Sequence, residues 1–180
     1  MRKTIVTGAA AAILLMGAAQ AAPAGWKTYT DAKAGWSISY PANFVVNKDG
    51  ETNGAPDGVK STTFSVPESY GKGTNLNEAS ISVDTRPGKN CKPGQFVDPV
   101  EDVKTLKADG RTYIAATSSD AGMSQYYATS IFIVKGTCLA VRYFTHSTNR
   151  MVIDPPPKEF DDKKLTKLFD SVRATLVLKK

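Results

Sequence analysis

The sequence predicts an α+β domain built on an antiparallel β-sheet. Three observations carry that prediction. Short segments in which apolar and polar residues alternate recur from Trp26 to Thr145, two tight hairpin signals join four of them, and a single segment near the C terminus has helical periodicity. No internal repeat of fixed period is present.

Residues 26–29 open the pattern. In residues 35–41, Trp36, Ile38 and Tyr40 alternate with small polar residues, which predicts a half-buried strand stopped by Pro41. Phe44, Val45 and Val46 extend the sheet, and residues 49–58 combine Gly, Asn, Asp and Pro into a loop. Residues 59–66 form a second long strand, with Thr62, Phe64 and Val66 on one side. The glycine-rich stretch Gly71-Lys72-Gly73-Thr74-Asn75 is a turn leading into a strand over 79–85, where Ala79, Ile81 and Val83 alternate with Ser80, Ser82 and Asp84. Residues 87–99 are irregular and hold Cys91.

Strands over 103–107 and 112–117 flank Ala108-Asp109-Gly110, and Asp-Gly is a hairpin signal because both residues tolerate positive φ. Strands over 126–134 and 137–145 flank Lys135-Gly136 in the same way. Alternation puts Cys138, Ala140, Arg142, Phe144 and His146 on one face of the last strand and Leu139, Val141 and Tyr143 on the other. Both faces are partly apolar, so this strand is central and covered on both sides. Pro155-Pro156-Pro157 precedes a helix from about 158 to 170, whose stripe is Phe160, Leu165, Leu168, Phe169 and Val172. Asp161 and Asp162 in its first turn suit the positive end of the helix dipole. Residues 174–178 return as a closing strand, making seven or eight in all.

The N terminus predicts export. Arg2 and Lys3 precede a small, apolar run, and Ala19-Gln20-Ala21 is the small-x-small pattern of a signal peptidase site. Residues 1–21 are read as a cleaved signal, with cleavage near Ala21, and residues 22–180 as one domain. A spanning helix needs about 20 apolar residues, and Gln20 and Pro23 end this run too early for an integral membrane anchor. No cysteine follows the run, so there is no thiol to acylate. The expected location is periplasmic or secreted.

Cleavage leaves 21 Lys and Arg against 17 Asp and Glu, a mild net +4. The basic pairs Lys163-Lys164 and Lys179-Lys180 have no interleaved aromatic residues, which argues against a nucleic-acid partner. In an exported chain, Cys91 and Cys138 predict a disulfide. Closing such a loop stabilises by about 4 kcal/mol in the chain-entropy model. Their wide separation is unlike the C-x-x-C turn of a redox pair.

Chemistry is sparse. His146 is the only histidine and lies in Phe144-Thr145-His146-Ser147-Thr148-Asn149, where a strand leaves the sheet. A hydrolytic triad would need a serine beside it, but Ser147 points to the other side of a strand and no G-x-S-x-G elbow exists. Asp49, Glu51, Asn53 and Gly54 imitate a calcium loop, yet Lys60 occupies the position of the bidentate Glu. One histidine and two bridged cysteines leave no metal set, and no cofactor is expected. Tyr126, Tyr127, Arg142 and His146, with Asn149 beside them, form the candidate contact patch.

Gly35-Trp36-Ser37-Ile38-Ser39-Tyr40-Pro41 followed by Phe44 resembles the opening of PsbP-like domains, and the late helix running through Phe169-Asp170-Ser171-Val172 into a last strand resembles their closing element. Asp120-Ala121-Gly122-Met123 and Tyr143-Phe144-Thr145-His146-Ser147 resemble exported bacterial proteins. The resemblance spans about residues 26–178. It implies an antiparallel sheet sandwiched by helices, and mostly non-catalytic partners of larger assemblies. The sequence thus reads as an exported, soluble, non-catalytic binding or accessory protein of the cell envelope, contacting a protein partner or ligand. The alternatives are a small envelope enzyme with His146 as general base, or a structural subunit of a larger envelope complex.

Overall fold

A computed structural model describes residues 22–48 and 55–179; the signal segment and the calcium-like residues 49–54 lie outside them. The fold is α+β, with two antiparallel sheets and a flanking helix, as the alternating segments predict. The small sheet has the order β1 (Trp26–Asp31), β2 (Trp36–Pro41), β10 (Val177–Leu178). The large sheet has the order β3 (Val45–Lys48), β4 (Lys60–Ser65), β5 (Leu76–Thr85), β9 (Leu139–Thr148), β8 (Gln125–Val134), β7 (Arg111–Gly122), β6 (Glu101–Ala108). β9 is the central strand, as its two partly apolar faces required.

On the inner face of the large sheet, Phe64, Ile81, Val83, Val141 and Tyr143 pack against Trp36 and Ile38 of the small sheet and Phe169, Val172 and Leu176 at the C terminus. Helix α1 (Asp162–Arg173) supplies this layer. It begins later than its apolar stripe predicts because Lys158 is engaged elsewhere: its carbonyl accepts from Asn75 N and its N–H donates to Gly73 O. Asp161 is instead the N-cap, accepting from Lys164 N at 2.9 Å. The closing strand is shortened to two residues because 174–176 turn out of the helix, with Thr175 N bonded to Val172 O and Leu176 N to Arg173 O.

The outer face is covered differently. Where the resemblance implies a second helical layer, residues 86–100 cross the starting end of β9 as a loop. Pro87, Pro93 and Pro99, with Gly88 and Gly94, disfavour a helix there. Phe96 and Val97 are buried against Ala116, Ile131, Ile133 and Ala140, and the Cys91–Cys138 disulfide ties the loop to the sheet. Beyond this loop, among the described residues, the other half of the outer face lies open.

Candidate functional site

Cross-strand register decides what the open half displays. Glu78, His146, Tyr127 and Asp120 stand opposite one another on β5, β9, β8 and β7, forming one row across the outer face. Tyr127 and His146 stack with ring centroids 4.5 Å apart and planes within 13°. His146 Nε2 is 2.8 Å from Gln125 Oε1 and 3.3 Å from Asn77 Nδ2, so two side-chain amides meet the same ring nitrogen. Thr148 Oγ1 donates to Gln125 Oε1 at 3.0 Å, and Asn77 Nδ2 donates to Thr148 Oγ1 at 2.8 Å. Asn77 sits where the β5–β9 register shifts, between Leu76 and Glu78, and such irregularities re-aim a side chain.

Only Tyr127 and His146 of the five predicted patch residues come together. Tyr126 alternates to the opposite face, where it pairs with Ala121 and Ser147 and is 46% exposed. Arg142 shares the His146 face but is 1% exposed beneath the crossing loop. Its Nε donates to Asp84 Oδ2 at 2.6 Å and its Nη2 to the Phe96 carbonyl, while Ser82 Oγ donates to Asp84 Oδ1 at 2.7 Å. Arg142 is therefore a clamp between sheet and loop, not a surface contact. Asn149 Oδ1 accepts from Met151 N at 3.0 Å, capping the short turn Arg150–Val152. Ser147 is buried on the inner side, as alternation predicts.

The hydrogen-bond partners of the His146 ring among the described residues are two side-chain amides, Gln125 and Asn77. Gln125 and Asn77 can fix the position of the ring, but neither can orient and charge it as a triad carboxylate does. Among the described residues no cluster of three or more His, Cys, Asp or Glu is placed to hold a metal ion, and no helix is long and apolar enough to cross a membrane.

A second polar network, on the inner face, escaped the sequence reading. Arg173 Nε donates to Asp109 Oδ2 at 2.9 Å, and its Nη1 donates to Asp170 Oδ1 and to the Tyr143 hydroxyl at 2.7 and 2.8 Å. The guanidinium lies 4.5 Å from the Phe132 ring centroid. Burial pushes the Tyr143 hydroxyl pKa well up; Arg173 opposes the shift and Asp170 adds to it. Burial alone would lower the Arg173 pKa, but Tyr143, Asp109 and Asp170 outweigh it and raise it. This network joins α1, β9 and the β6–β7 hairpin and fixes the inner layer.

No family model and no curated protein matches the sequence. The fold has a solved likeness. A crystal structure from Bacteroides thetaiotaomicron VPI-5482 aligns with a TM-score of 0.50 at 16% identity, over 87% of this chain and 49% of that one. This chain thus spans about half the length of that protein, and the likeness is one of fold. The solution structure of cyanobacterial PsbP from Synechocystis sp. PCC 6803 aligns over 87% of this chain and 94% of its own, at 12% identity and a TM-score of 0.45.

Proposed function

We propose that this protein is a non-catalytic binding or accessory module of the cell envelope, related to PsbP-like domains and exported by a signal cleaved near Ala21. It contacts a protein partner or ligand through the open half of its outer face. The observation that carries this reading is the Tyr127–His146 stack, framed by Gln125, Asn77 and Thr148. A stacked aromatic pair with its polar groups fixed is organised for recognition, because little side-chain freedom is left to lose on binding. The amides at His146 Nε2 support a binding role over a general-base one.

The test is affinity capture of the tagged protein from its native envelope, followed by identification of co-eluting proteins and bound small molecules. Tyr127→Ala and His146→Ala are expected to weaken capture about tenfold or more, the effect of losing an interface hot spot, while the melting temperature stays near that of the parent. Capture unchanged in both variants would overturn the reading, as would an activity on an envelope substrate that His146→Ala abolishes.

A further inference from the structure

The large and small sheets part at one end, about 23 Å along β9 from the His146 stack, given the rise of a strand. The gap there is a cleft of about 900 Å³, within the range of small-molecule sites. Its position follows from register. Lys60, Thr85 and Leu139 form one inner-face row across β4, β5 and β9, at the limit of the large sheet. The turn between β1 and β2 forms the opposite wall, held to the C terminus by the bond from Lys179 N to Gly35 O at 2.8 Å.

Two properties of the cleft point to one ligand chemistry. The first is charge. Lys33, Lys48, Lys60, Arg86 and Lys179 line it, and the acidic residue among its described walls, Asp31, is engaged in accepting from Ala34 N at 2.8 Å. Lys48 Nζ lies 5.2 Å from the Tyr29 ring centroid, so one wall joins a cation to an aromatic face. The second is an unused donor. Trp36 lines the cleft, is 1% exposed, and its indole N–H is buried with no acceptor among the described residues. A buried N–H without a partner is costly, and an acceptor atom on a bound molecule would remove that cost once the Trp36 ring shifts to meet it. Val83 and Leu139 add apolar surface beside it.

We propose that this cleft binds a small organic anion, with its carboxylate, sulfonate or phosphate group among the lysines and its aromatic or alkyl body against Trp36, Val83 and Leu139. The site is separate from the Tyr127–His146 surface, and the inference does not depend on what that surface contacts.

The probe is anilinonaphthalene sulfonate, an anionic aromatic dye, titrated into the purified protein and compared with neutral N-phenylnaphthylamine. Saturable binding of the anionic dye is expected, weaker at high salt because exposed charges are screened. The Lys48→Glu/Lys60→Glu double variant is expected to weaken it about tenfold, roughly the effect of reversing two partly screened charges. Tyr127→Ala is expected to leave the dye affinity unchanged, which separates this site from the one proposed above. The exposed lysine changes are expected to preserve the melting temperature; should the double variant melt early, Lys33→Gln and Lys179→Gln supply the same comparison. Equal affinity for both dyes, absence of saturable binding, or indifference to the lysine changes would overturn the proposal.

Discussion

The inner face of the large sheet is closed over the middle strands by a helix and a second sheet and is exposed toward Tyr126, whereas the outer face is closed over half its length by a loop. The inner layer is held mainly by apolar contact among residues such as Trp36, Phe64 and Phe169. The outer loop offers fewer apolar side chains, and its backbone carbonyls have no sheet partner. Side chains supply what regular structure does not: Arg86 donates to the Gln95 carbonyl and Arg142 to that of Phe96, closing the short turn Pro93–Gln95. The disulfide adds a covalent tie. An irregular cover therefore depends on a few named groups, while a regular one spreads its stability over many.

That contrast is sharpest at Arg142. Arg142→Ala leaves Asp84 buried and uncompensated, and a loss of about 3–5 kcal/mol is expected in urea unfolding. Replacing both partners, with Arg142→Met and Asp84→Leu, is expected to recover much of that loss; no recovery would show that the bond to Phe96, and not the ion pair, holds the cover. Replacing Cys91 and Cys138 by Ala is expected to cost about 2–4 kcal/mol, with new protease cleavage confined to residues 86–100. Cleavage elsewhere would show that the loop is not an independent layer.

The inner network is tested by alkali. Tyr143 has a folded pKa above its unfolded value near 10, so its contribution is complete below about pH 10 and is lost as pH rises beyond it. The expected slope is up to about 1.4 kcal/mol per pH unit. Tyr143→Phe, measured beside the parent between pH 9 and 11, is expected to flatten this decline; parallel curves would remove Tyr143 as its source. The smallest effect belongs to the open half of the outer face. Asn77→Ala is expected to change stability by less than about 1 kcal/mol, because its partners Thr148 and Gln125 remain partly exposed to water.

Much of this architecture is legible in the sequence where local pattern governs. The Asp109-Gly110 hairpin forms as its residue types predict, with both residues at positive φ. The turn between β7 and β8 is not legible, because Met123 and Ser124 adopt positive φ without the glycine or asparagine that signals it. β7 therefore runs to Gly122 instead of ending at Thr117. For the site, alternation puts Arg142 and His146 on one face, but their depths depend on where residues 86–100 cross, which no local pattern encodes. Asn77 and Gln125 join His146 through a register shift and a neighbouring strand. The cleft cations, four lysines and Arg86, come from five separated positions, so their convergence is a property of the fold.

The pairing of β2 with β10 also sets an order of events. Trp36 and Ser37 stand opposite Leu178 and Val177 in the β2–β10 register, and Ser39 N donates to Thr175 Oγ1 across 136 positions. Loop-closure entropy delays contacts of this separation. A chain emerging N terminus first therefore carries Trp36 and Ile38 only partly covered until α1 and β10 have followed, and a chain caught before them lacks the segment that completes this core. Completion of the fold is thereby coupled to completion of α1 and β10, and truncation before residue 177 removes an edge partner from β2.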